Sequence, residues 1–410
     1  MVGGNDFSFV CGITVVTRAI KAREDDIMNQ LHLIEEIETA LASGDAKQRQ
    51  TTLKRIADYF VAGSRSYSGE QIELFDDIFH KLAADIEVKA LAKLSHRLAP
   101  LPDAPPRMVR SLAFNDAIDV AAPVLVMSQQ LSVSDLVANA ETKSQAHLLA
   151  IAQRAELDEA VTDVLVDRGD RRVVRSVAGN DGARFSDTGF GKLVKRAQSD
   201  DTLARNLGDR RDLPRHHFLK LVASASATVR KRLVAVMPQA DALIQDAVAD
   251  IADEISRDSR EASSEHAKVK KHAKLCYSMR KFTEANIHAP ARAQDFEKTA
   301  VALALYGHYP VDLVERALID EGSDMVLILA KAANLSRGTV KALLVMHAGG
   351  RGLSEPDLEH ALAGYDRLKA KTAKRVLDFY EKRRKAAGKA PKVAPAAVEV
   401  EAEVVLAEAV

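Results

Sequence analysis

Tryptophan is absent from the 410-residue chain, and cysteine occurs only at positions 11 and 276. Two cysteines cannot build a disulfide framework or a thiolate-rich metal site, so a reducing, cytoplasmic setting is expected. Glycine (20) and proline (12) make up about 8% of the residues, against roughly 12% in average usage. Aromatic residues are 5%. A shortage of breakers and aromatics, with plentiful Ala and Leu, favours helix over sheet. Lys+Arg and Asp+Glu number 58 each, so no net field steers the chain toward DNA in general or an acidic membrane. The apolar run Phe7 to Val16, broken by Cys11 and Gly12, falls far short of the ~20 residues that span a bilayer. No Lys or Arg precedes it and no small-residue cleavage signal follows, so it does not read as a signal peptide.

What is present reads as helices of modest length. Leu31, Ile34, Ile37 and Leu41 repeat at helical spacing, as do Leu53, Ile56, Tyr59 and Phe60. Ser68 and Gln71 form a capping-box pattern, and Ile72, Phe75, Phe79, Leu82 and Ile86 then step 3, 4, 3, 4 along one face. From Arg107 the chain breaks into short units, each a helix-sized run closed by Gly, Asn, Ser or Pro. The phrase from Met108 to Asp116 (MVRSLAFND) returns from Val173 to Asp181 (VVRSVAGND), 65 residues later, with a weaker copy around Leu136 to Asn139. That spacing suggests a helical-hairpin period in the thirties, the range of stacked repeats.

The expected fold is therefore all-α: a HEAT-like α-solenoid of short helical repeats, a long connecting helix and a smaller C-terminal helical block. The expected segments are a poorly ordered leader (1–27), the repeat domain (28–238), the connecting helix (239–287), the C-terminal helical domain (288–387) and a disordered tail (388–410). The connecting helix is read from Leu243, Ile244, Val248, Ile251 and Ile255, followed by a stretch polar on all sides.

Long phrases over 31–235 resemble the domain of unknown function 2336 family, found mainly in alphaproteobacteria. They include Phe75–Leu82 (FDDIFHKL), Leu112–Asn115, Val120–Leu125, Lys143–Ala152 (KSQAHLLAIA), Val161–Asp170 (VTDVLVDRGD), Gly182–Ser186 and Arg210–Pro214. The segment from Pro310 to Val345 resembles the usual C-terminal part. The resemblance implies a helical-repeat fold and a bacterial cytoplasmic protein, and no established activity.

The densest polar constellation lies between Ser144 and Arg184. Ser144, Gln145, His147, Arg154, Arg168, Asp170 and Arg184, with Asp163 and Asn180, recur at unit ends. In a solenoid such positions line one rim or the concave face, where they could offer donors to a peptide, carboxylate or phosphate. The competing reading is that they cap helices and brace neighbouring repeats, with Asp170 as an N-cap before Val173 and Asn139 and Asn180 at helix ends.

Other motifs carry less. His216 and His217 beside Asp212 suggest a metal, but adjacent helical side chains diverge by about 100°, so no metal site is expected. Arg168-Gly169-Asp170 is read as coincidence. Thr188 to Lys192 lacks phosphate-loop spacing, His347 to Gly352 reads as a helix junction, and Ser278-x-x-Lys281 has no partner motifs. Basic stretches at 268–281 and 367–385 read as solvated helix faces or docking sites for an acidic partner. No nucleophile, base and orienter can be assembled from spacing, so no enzyme activity and no cofactor are expected. The expected function is a non-enzymatic scaffold or adaptor for a protein partner in bacterial signalling or regulation. The alternative is a sensor of a nucleotide, small anion or nucleic acid through the Arg/His groove.

Overall fold

The computed structural model describes residues 37–40, 46–63, 65–84, 86–278, 282–320, 322–349 and 354–387. The expected leader and tail lie outside the described residues. Among these residues there is no β-strand, only an isolated bridge between Leu157 and Ala183, and the protein is all-α. The chain forms two compact units that divide after Ala225.

The first unit contains α1 (Ala46–Gly63), α2 (Gly69–Leu82), α3 (Val88–Leu98), α4 (Pro106–Ala113), α5 (Ile118–Met127), α6 (Val133–Thr142), α7 (Gln145–Ala152), α8 (Glu159–Arg168), α9 (Arg171–Ala178), α10 (Asp187–Ala197) and α11 (Asp201–Gly208). The division falls within α12 (Arg215–Val236). The helices stack in two rows. Odd-numbered helices α1 to α11 each pack on the next odd-numbered one, and α6, α8 and α10 do the same on the other side. A helix with one apolar stripe must bury it against neighbours, and here the buried side chains of both rows merge into one core running from Ile37 to Leu221.

The odd-numbered helices from α3 to α11 begin at 88, 118, 145, 171 and 201, in steps of 30, 27, 26 and 30 residues. The period is thus shorter than the sequence phrase suggests. The two copies of that phrase lie on α4 and α9, in opposite rows. What they share is local chemistry. Arg110 Nε meets Asp135 at 2.6 Å, and Arg175 Nε meets Asp200 at 2.9 Å, each acid 25 residues on. Asn115 and Asn180 each accept, at 2.9 Å, the N–H of the residue two further along. This is an Asx turn that carries the chain out of the helix.

The helix starts follow the short polar residues. Ser68 with Gln71 and Ser132 with Asp135 form complete capping boxes. Asp170, Ser186 and Asp200 each accept backbone N–H groups of the first turn that lack intrahelical partners.

The second unit holds α13 (Asp241–Ala262), α14 (Ser264–Ser278), α15 (Ala285–Arg292), α16 (Phe296–Gly307), α17 (Val311–Ile319), α18 (Asp324–Ala332), α19 (Arg337–Ala348), α20 (Glu355–Arg367) and α21 (Ala370–Ala387). The continuous helix expected over 239–287 is broken. Ser263 has extended backbone, and its hydroxyl accepts the His266 N–H at 3.1 Å, so it ends α13 and caps α14 together. Helix α16 is the pivot of this unit: Ala300, Val301, Leu303 and Ala304 are buried, and α14, α15 and α17 pack on it.

Three helices of this unit close with a residue in the left-handed region: Gln294, His308 and Asn334, at φ of 59°, 56° and 55°. In each, the following N–H reaches back to the carbonyl five residues earlier: Asp295 to Pro290, Tyr309 to Ala304 and Leu335 to Ala330. Asn334 and His308 are of types enriched in this conformation, whereas Gln294 is not. Gln294→Gly is expected to raise stability by about 1 kcal/mol and Gln294→Val to lower it, as read by urea denaturation.

Candidate functional site

The polar residues between Ser144 and Arg184 sit at helix ends, and most of their donors point at backbone. The last carbonyls of any helix lack intrahelical partners and carry the negative end of its dipole. Five successive helices solve this in one way: a side chain at the end of each reaches back to the end of the helix two before it. Arg154, after α7, donates to Leu125 O and Ser128 O at 2.6 and 2.7 Å, at the end of α5. Arg168 of α8 donates to Ala140 O of α6. Asn180, after α9, donates to Ala152 O and Arg154 O at 3.0 and 2.7 Å. Arg196 of α10 holds Val166 O and Gly169 O at 2.6 and 2.7 Å. Arg210, after α11, spans Ala178 O, Asn180 O and Ala183 O at 3.2, 2.7 and 2.7 Å, and stacks over the Phe185 ring.

The other expected site residues join the same bracing. The Gln145 amide donates to Arg168 O at 2.9 Å and accepts the Asp170 N–H at 2.8 Å, tying α7 to the α8–α9 turn. Asp170 also caps α9, accepting from Arg172 N and Val173 N. His147 is 1% exposed. Its Nε2 lies 2.9 Å from Asn115 O, which only accepts, so Nε2 carries the proton and Nδ1 accepts from the Ser144 hydroxyl at 2.8 Å. This serine–histidine pair is completed by a backbone carbonyl rather than a carboxylate, with the ring buried and Ser144 exposed. Arg184 stands apart, exposed and paired with Asp158. The structure therefore brings together Ser144 with His147, and Gln145 with Arg168 and Asp170, but not all seven residues in one groove. Burial lowers the Arg154 pKa from its usual value.

A shallow surface groove of about 420 Å³ lies elsewhere, lined by His80, Arg107, Arg110, Ser111 and Phe114. Both arginines there are paired with acids: Arg107 with Asp77 at 2.6 Å, and Arg110 with Asp135 at 2.6 Å. In the second unit, α13, α14, α16 and α17 are clasped by a buried network. His266 Nδ1 meets Glu297 at 2.8 Å, and Arg260 donates to Glu315 at 2.9 Å.

Sequence reasoning missed the acid that pairs with the adjacent histidines. Asp212, the expected partner, is held by Arg210 at 2.7 Å. Asp187, in the first turn of α10, instead receives both rings: Nε2 of His216 and of His217 lie 3.0 and 2.9 Å from the same Oδ1. The rings lie with centroids 4.0 Å apart and planes tilted by 40°, so rotamer choice overcomes the angular divergence of neighbouring helical positions. Hydrogen bonds from His216 and His217 hold the Asp187 carboxyl far below its usual range. Burial lowers the His217 pKa from 6.5.

The family model described as an uncharacterised protein conserved in bacteria (DUF2336) matches residues 120–378. The chain belongs to this family. The DUF2336 match starts later than the resemblance at 31–235 and continues into the second unit. No curated protein and no solved structure matches the chain. No helix among the described residues is long and apolar enough to cross a membrane.

Two outcomes follow for this DUF2336 protein. Arg154→Met leaves Leu125 O and Ser128 O without a charged donor and is expected to cost about 2–3 kcal/mol in urea unfolding. His217 binds its proton more weakly folded than unfolded. Its contribution is therefore complete above pH about 6.5 and declines as pH falls below it. In EDTA, the wild type should lose stability between pH 7 and pH 5 more steeply than His217→Gln.

Proposed function

We propose that the protein is a non-enzymatic scaffold that assembles through the first helices of its second unit. The observation that carries this reading is a run of large exposed apolar side chains. Val229, Leu233 and Val236 lie on one face of the end of α12, at i, i+4 and i+7, and Met237 follows directly after the helix. Leu243, Ile251 and Ile255 continue the pattern on α13, and Val236 and Leu243 are 77% and 75% exposed. Large apolar side chains exposed in such number over a short stretch of chain support an interaction site.

The charges flanking the stripe name the occupant. Arg230, Lys231 and Arg232 are the only charged residues of 226–236. Helix α13 carries seven acids against two arginines, with Asp246, Asp250, Glu254 and Asp258 spaced every four residues beside the apolar row. In a two-fold pair each patch meets the other patch of the partner copy. The basic end of α12 then faces the acidic α13, so a second copy of this chain is the occupant that fits.

Three residues of the expected groove support the scaffold reading over an anion sensor, because Arg154, Arg168 and His147 direct their donors at backbone carbonyls. Sedimentation equilibrium is expected to give a dimer. Leu243→Glu with Ile251→Glu should yield a monomer that keeps the wild-type far-UV circular dichroism and has a melting temperature independent of protein concentration. Arg230→Glu with Lys231→Glu should weaken the dimer, and adding Asp246→Lys with Asp250→Lys should restore it. A wild-type monomer at all concentrations would overturn the reading.

A further inference from the structure

We infer that Asp187, His216 and His217 form a reversible zinc site on the first unit. Three donors of the right kinds converge: two imidazole nitrogens and one carboxylate oxygen, all within 4.8 Å of one another. They come from the first turns of two helices, α10 and α12, whose packing fixes their separation. Adjacent histidines on a helix ordinarily diverge. Here both Nε2 atoms are turned to one point, with the rings 4.0 Å apart.

Zinc bonds of about 2.0–2.2 Å place tetrahedral donors about 3.4 Å from one another. The nitrogens now lie 2.9 and 3.0 Å from Asp187 Oδ1, so the carboxylate has to withdraw by only about half an ångström to admit the ion. His217 is 3% exposed and backed by the Phe190 ring, which makes it the rigid ligand at the rear. The side chains of Asp187 and His216 are 62% and 21% exposed, which leaves an entry path and an open coordination position for water or a fourth ligand. Two imidazoles favour zinc over calcium or magnesium, which take oxygen donors.

The surroundings also set the strength. When Nε2 binds metal, the proton of His217 moves to Nδ1, which is buried and has no hydrogen-bond partner. Ligating histidines normally donate that proton to an acceptor, and its lack costs 10–100-fold in affinity. The site therefore exchanges its ion rather than holding it as a permanent structural element. The cluster of His266, Glu297 and Glu315 differs: all three residues are buried, and Arg260 already sits on Glu315.

The test is titration of the metal-free full-length protein with Co²⁺, read by visible absorption, followed by displacement with Zn²⁺ and equilibrium dialysis. One equivalent with tetrahedral Co²⁺ bands, and a melting temperature raised by Zn²⁺ and restored by EDTA, is the expected result. His216→Ala, at a partly exposed position, and Asp187→Asn should each abolish uptake while keeping the far-UV circular dichroism of the metal-free protein. His266→Ala should leave uptake intact. Failure of the wild type to take up Co²⁺ or Zn²⁺ at equilibrium, or uptake that survives both His216→Ala and Asp187→Asn, would overturn the assignment.

Discussion

Each short helix of the repeat unit ends in carbonyls that it cannot satisfy. Helices α6, α7, α9 and α11 have only eight to ten residues, so the unpaired last turn is a large share of each. The array depends on side chains that reach across one intervening helix to fill that vacancy. Arginine suits this task because its five donors span two or three carbonyls, and its charge meets the negative end of the helix dipole. Each such contact joins neighbours within a row, so satisfying the polar backbone and setting the spacing of the stack are one event.

This bracing uses up polarity that would otherwise serve a ligand. Asp170, Gln145 and Arg168 form a closed exchange of hydrogen bonds, and His147 is locked in one tautomer between a hydroxyl and a carbonyl. Two other groups of side chains lie outside this bracing. One is the aspartate–dihistidine cluster at the start of α12. The other is the apolar and oppositely charged surface over α12 and α13. The proposed zinc site and the proposed dimer surface thus use different residues from the ones that brace the helices.

Much of this architecture is legible locally. Ser68 with Gln71, and Asp170 before Val173, declare their helices through contacts three residues long. The repeated VRSxAxND phrase also carries real chemistry, the arginine–aspartate pair and the Asx turn. It misleads on the period because both rows of helices need the same ending. Partners that are backbone atoms leave no trace in sequence, so the targets of Arg154 and Arg196 cannot be read from residue types. Asp187 lies about 30 residues from the histidines it receives, while Asp212 is near them in sequence and bound to Arg210 instead. Ser263 sits in a stretch polar on all sides, where periodicity has no phase to interrupt, and only its hydroxyl marks the break.

The reach of two helices imposes an order on how the repeat unit is completed as it leaves the ribosome. A helix that has just emerged exposes open carbonyls until the helix after next arrives with its arginine or asparagine. Every newly added turn is thus provisional, and the growing end always carries two unfinished helices. Assembly from the N-terminal side is rewarded one step late, and any premature stop strands two raw helix ends.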